Sequence, residues 1–158
     1  MPIYMKYASI EGDATAAGHE KWIELNSFQW GVGRGISSPT GGSADRESSA
    51  PSVSEITASK AQDVASIKLL NEAYQGEGED VTIDFCKTDK GNLEVYATYI
   101  LTNCMISGYS VSSGGDRPSE SISLNFTKVE FKDVAMGAKN EQGNSATVIY
   151  DIAQGKVA

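Results

Sequence analysis

Few side chains in this sequence have the chemistry of a reactive centre. Among 158 residues there are two cysteines, Cys86 and Cys104, and one histidine, His19. A metal site of Cys and His ligands needs them clustered at short spacing, and these three stand far apart. Facing strands could bring the cysteines to disulfide distance, but small buried free thiols are common in a chain without an export signal. Alternation puts Asp84 and Cys86 on one strand face, two members of a Cys–His–Asp set. Nothing in the sequence brings His19 to them. We therefore expect Asp84 to point outward and His19 to lie in a solvated loop beside Glu20. Gly31-Val-Gly33-Arg-Gly35 has the glycine spacing of a phosphate loop, but that chemistry needs a helix immediately afterwards. A Pro- and Ser-rich stretch follows instead, so the glycines are read as relaxing the backbone where a strand leaves into an arm. Glu77, Glu79 and Asp80 crowd a Gly-rich turn and read as solvated charge. The expectation is no catalytic residue, no cofactor, no metal, and no enzyme.

The elements around these residues read mostly as strands. Ile3, Met5 and Tyr7 alternate with Tyr4, Lys6 and Ala8. Residues 21–33 have strand composition, with Trp22, Phe28 and Trp30 on one face unless Asn26-Ser27 inserts a bulge. Residues 34–52 are rich in Gly, Ser and Pro and hold almost no large apolar group. A stretch like this is an arm held against another chain or a loop draped over its own domain, and long loops of this kind tend to be functional. A short strand over 53–60 comes next. The spacing then predicts one helix over 64–75, capped by Asp63 and stopped by a left-handed Gly76. Ile67, Leu70 and Tyr74 form its expected packing face, opposite Lys68, Asn71, Glu72 and Gln75. A hairpin over 80–102 turns at 89–92, and another strand covers 103–112. Ile122, Leu124 and Phe126 share a parity that Val129 and Phe131 break, which predicts a bulge near Thr127-Lys128 or a strand covered on both faces. A polar loop over 133–145 precedes a last strand over 147–152. This pattern defines a mainly β fold: an antiparallel two-sheet β-barrel or sandwich, one flanking α-helix and a long extended loop, in a single domain over 1–158.

Composition narrows the class of protein further. The chain is 40% hydrophobic and 22% charged, ordinary for a folded soluble domain, and a chain of this length buries roughly 70% of its unfolded surface. No apolar run approaches the ~18–20 residues that span a bilayer, so membrane insertion is not expected. The first ten residues lack a basic segment followed by an apolar one, so a classical secretory signal is not expected. A net charge of −8 argues against nucleic acid as a partner.

Three segments carry a resemblance: Trp22-Ile-Glu-Leu-Asn-Ser-Phe-Gln-Trp-Gly31, the 60–76 helix segment, and Ser113-Gly-Gly-Asp-Arg-Pro-Ser-Glu-Ser-Ile-Ser-Leu-Asn-Phe-Thr-Lys-Val-Glu-Phe131. In order and over nearly the whole chain, they resemble Hcp, the haemolysin-coregulated protein family of bacterial type VI secretion systems. The resemblance implies a two-sheet barrel with one flanking helix, homohexameric rings, and rings stacked into the inner tube of a contractile injection machine. Its implied partners are further copies of itself, the sheath, the spike and small effectors chaperoned in the lumen. Its implied location is the bacterial cytoplasm, then the extracellular space or a target cell, reached without a signal peptide. The fold also resembles phage tail-tube proteins. The stop at Ala158 argues against the C-terminal toxin extension of some relatives. Within Phe28-Gln29-Trp30-Gly31, the family's aromatic–polar–Trp–Gly stretch implies that Gln29 faces the lumen and contacts cargo while Trp30 is structural. In the 34–52 arm, Arg34, Pro39, Asp45, Arg46 and Glu47 are the expected inter-subunit residues. The competing readings are a non-catalytic β-sandwich binding module for carbohydrate or protein, with Trp22 or Trp30 as a stacking platform, and an enzyme or secreted toxin.

Overall fold

The structure, a computed structural model, describes residues 1–38, 40–41, 46–136 and 142–158. Its strands form two antiparallel sheets that share one long strand. The first sheet runs β2 (Ile23–Leu25), β1 (Ile3–Tyr7), β9 (Glu79–Asp89), β10 (Asn92–Ser112), β12 (Lys128–Met136), β13 (Gln142–Asp151) and β14 (Lys156–Val157). The second runs from the far half of β10 through β11 (Ser119–Asn125) and β8 (Ile56–Ala61) to β3 (Ser27–Gln29). They lie as a sandwich and do not close into a barrel.

β10 makes the corner between the sheets. Residues 97–102 lie between β9 and β12, whereas 105–112 pair with β11. The strand turns at Asn103, whose φ of 55° is the left-handed conformation that Asn tolerates best among residues with a Cβ. Gly78 packs against this corner so closely that a Cβ there would collide with the Asn103 side chain. The expected strand over 103–112 is thus the continuation of the hairpin strand. A second crossing joins β2 to β3 at Asn26, whose amide donates to Ser59 O at 2.7 Å. The parity slip at Thr127-Lys128 is likewise no bulge. It marks the passage from β11 in one sheet to β12 in the other, so Ile122, Leu124 and Val129 all reach the same core. β12 and β13 also extend into the expected 133–145 loop, through Met136 and from Gln142. Between the sheets lie Met5, Tyr7, Ile23, Ile56, Ile83, Leu101, Ile122 and Leu124, all buried.

The helix α1 (Ser66–Gln75) overturns the expected packing face. Ala65, Ser66 and Leu69 are buried, whereas Ile67 is 78% and Tyr74 80% exposed and Leu70 is half-buried. Small alanines at 65 and 73, on either side of Leu69, let the helix approach the sheet closely. Asp63 lies two residues before the N-cap, Ala65, and accepts the Ala65 amide at 2.9 Å. Gly76 is extended (φ −67°, ψ 149°), not left-handed, and its amide donates to Glu72 O. A buried ion network anchors the helix. Lys60 Nζ lies 2.5 Å from Glu120 Oε1 and 2.9 Å from Asp63 Oδ1, and the Ser66 hydroxyl donates to Glu120 Oε1 at 2.6 Å. Among the described residues no helix is long and apolar enough to cross a membrane.

Candidate functional site

Gln29 is exposed on β3, and its two aromatic neighbours point the other way. Phe28 packs on Phe85 and Tyr99 at 5.0 and 4.9 Å, and Trp30 meets Tyr99 edge-on at 5.7 Å. Trp30 Nε1 also donates to Ser54 O at 3.1 Å, which ties the indole to the chain leaving the arm. Both rings are half-buried, as the alternation required. Cross-strand register places Gln29 beside Thr57, Ser123 and Gly108 in one row. The adjacent row consists of Ser27, Ser59, Ser121 and Ser110, one serine from each of four strands. Ser27 Oγ and Ser59 Oγ share a hydrogen bond of 2.5 Å.

The arm leaves from this same end of β3. Two short ladders stiffen it: β4 (Val32–Gly33) pairs with β7 (Ser52–Val53), and β5 (Ile36–Ser37) with β6 (Glu47–Ser48). Ser49 closes the inner ladder, its amide donating to Gly35 O and its hydroxyl accepting the Gly35 amide. The ladders explain how a polar stretch holds its shape without a core. Arg34 and Arg46 are exposed and make no ion pair among the described residues. Glu47 lies on β6, while Pro39 and Asp45 fall outside the described residues. Val32 and Val53 at the arm's base face Val129, Phe131, Val148 and Tyr150 across a groove of about 230 Å³ whose lining is almost wholly apolar. Val32 and Val148 are more than half exposed there.

His19, Asp84 and Cys86 correct the reading of the loop and of β9. His19 is buried, with Nε2 2.8 Å from Asp84 Oδ2 and 3.9 Å from Cys86 Sγ. Its ring stacks on Tyr4 at 5.0 Å and meets Trp22 edge-on at 4.6 Å. Asp84 is buried too, and Thr98 donates to its other oxygen at 2.8 Å. These groups come from segments 65 residues apart, so no local pattern could announce them. Strand parity did place Asp84 with Cys86. The cluster is not a nucleophile with its base. In such a set the carboxylate and the nucleophile occupy opposite ring nitrogens. Here both face Nε2, and Nδ1 is buried with no hydrogen-bond partner among the described residues. Burial first, and the Asp84 charge second, push the Cys86 thiol up to about 11, so it stays protonated at neutral pH. The cluster instead pins the 11–22 loop against the outer side of β1 and β9. Both cysteines are free and buried.

The described residues thus form two sheets, with two short ladders leaving the end of β3, an apolar groove at their base and an uncharged polar face on the second sheet. The family model described as type VI secretion system effector, Hcp, matches residues 4–132. The chain belongs to the Hcp family of the type VI secretion system. A solved structure of a type six secretion system protein is 25% identical, with a TM-score of 0.88 and 99% of each chain covered. Hcp1 from Salmonella typhimurium is 22% identical, with a TM-score of 0.80 over 99% of this chain and 98% of that one. A type VI secretion system effector from Yersinia pestis is 24% identical, with a TM-score of 0.74 over 94% and 98%. No curated protein matches the chain.

Proposed function

We propose that this chain is the repeating subunit of a type VI secretion inner tube. Copies close into homohexameric rings, the rings stack, and the lumen carries and chaperones small effectors. The tube assembles in the bacterial cytoplasm and is driven by the sheath, behind the spike, into the extracellular space or a target cell. Family membership over 4–132 carries this reading. The surfaces support it. The apolar groove between the arm's base and the β12–β14 wing suits a neighbouring copy, because an exposed apolar patch marks an association site. Among the described residues β14 pairs with Tyr150 and Asp151 and the Ala158 amide reaches Ile149 O, so most of β13 offers an open edge beside that groove, and an open edge needs a partner strand or cover. A contact in which one copy's groove takes a different surface of its neighbour is heterologous, the kind that closes by rotation into a ring. Size-exclusion chromatography with light scattering tests the reading: a discrete particle of six subunits supports it. A monomer at high micromolar concentration overturns it.

A further inference from the structure

We infer that the outward face of the second sheet is the wall that meets cargo, and that it holds folded protein cargo by uncharged hydrogen bonding, whatever the sign of the cargo's charge. The inference rests on the tube reading above and adds the chemistry of the bore. Gln29 does not stand alone: β3 is paired to β8, β8 to β11 and β11 to β10, so whatever Gln29 faces, the whole sheet face meets. Beside it the serine row crosses all four strands, with Ser27 and Ser110 exposed and Ser59 and Ser121 half-buried between them. Strand surfaces favour β-branched and aromatic side chains, which pack on their cross-strand neighbours. Four serines in register give up that packing and keep one cross-strand hydrogen bond, Ser27 to Ser59, which leaves most of the row's hydroxyl capacity turned outward.

The chain carries 21 acidic and 13 basic residues, yet neither row holds a charge. The nearest in-phase carboxylate, Glu55, precedes β8 at the arm end and accepts the Ser107 hydroxyl. Without an aromatic ring the rows offer no stacking platform for a sugar or a base, and without Lys or Arg they offer no clamp for phosphate. What remains is hydroxyl and amide, each able to donate and accept. Such a wall matches the uncharged polar groups present on folded protein surfaces and sets no charged side chain directly against them, so what field they meet comes from charges elsewhere and is screened by salt. Each contact is weak, and repetition around a ring makes the sum sufficient.

The test co-expresses the full chain with one small single-domain carrier protein in two versions, one with a Lys-rich and one with an Asp/Glu-rich surface. Rings are isolated by size exclusion with light scattering, and carrier per ring is measured at low and high salt. Wild-type rings should retain both versions within about threefold, with a salt effect no larger than that. Ser121→Glu rings should prefer the Lys-rich version, and Ser121→Lys rings the acidic one, each by about tenfold or more. A wild-type preference beyond about threefold, a salt effect larger than that, retention of neither version, or charged variants that change nothing overturns the inference. Should the charged variants not fold, Ser121→Cys supplies the readout. Cationic and anionic thiosulfonate reagents should then modify the ring at equal rates relative to free cysteine, and a bias of about tenfold overturns the inference. A wild-type chain that elutes as a monomer sinks the tube reading itself, before any cargo is measured.

Discussion

Lys60 and Glu120 show how much a single buried pair can govern. Both side chains are buried almost completely, and each is surrounded by the other's hydrogen-bond partners. Residue type suggests that they face water. Parity says otherwise, since Lys60 continues Ile56 and Ala58, and Glu120 precedes Ile122 and Leu124, on the inward face. That signal was present in the sequence, whereas the His19 contact, made across 65 residues, had none. Glu120→Ala should destabilise the fold by up to about 3–5 kcal/mol in urea unfolding, because it leaves a buried ammonium with Asp63 as its remaining counter-charge. Replacing both partners with apolar residues of similar volume should cost far less, which separates the burial penalty from the worth of the pair. The thiols set a pH limit. Burial holds Cys104 up to about 12 and Cys86 up to about 11, against an ordinary value of 9.0. The unfolded chain therefore releases these protons first. Stability should be complete below about pH 9 and fall as pH rises towards 11–12. Denaturant titrations across that range should show the fall, and Cys104→Ala should make it shallower, with Cys86 and the buried tyrosines supplying the remainder.

At the scale of the element, α1 explains why a helix was legible and its orientation was not. Ile67, Leu70 and Tyr74 recur at helical spacing, and so do Ala65, Leu69 and Ala73. Counting apolar volume selects the first set. Close approach to β10 selects the second, because the ion network at Ser66 fixes which side of the helix meets the sheet. Leu69→Ala should cost about 2–5 kcal/mol in chemical unfolding, and Ile67→Ala less than about 0.5. Equal losses would mean that the helix lies otherwise in solution. The arm was legible as an arm from composition, but its two ladders were not, since strands of two residues leave no periodicity to read. Deleting residues 38–48 should weaken ring assembly in light scattering while the far-ultraviolet spectrum stays that of the β fold. Unchanged ring stability would remove the arm from the interface.

For the whole molecule, the two-sheet class followed from strand count and patterning, while the corners followed from nothing local. β10 enters both sheets, and β11 and β12 belong to different ones although only two residues separate them. Alternation reports which face a residue takes, never which sheet it joins, so the groove formed where the β12–β14 wing meets the arm's base could not be foreseen. On the tube reading proposed above, that groove is where neighbouring copies meet. Val148 is 53% exposed on it, large and apolar, on a strand whose outer edge is mostly free of partners among the described residues. A carboxylate there would be solvated in the isolated subunit, so Val148→Asp should change unfolding free energy by less than about 0.5 kcal/mol. In an assembled ring the same carboxylate would be buried against apolar side chains without a counter-charge, once per subunit, a cost of several kcal/mol at each interface. The variant should therefore elute as a folded monomer where the wild type elutes as a ring, and a Val148→Ile control should assemble. Rings of Val148→Asp with wild-type stability would show that neighbouring copies meet through some other surface.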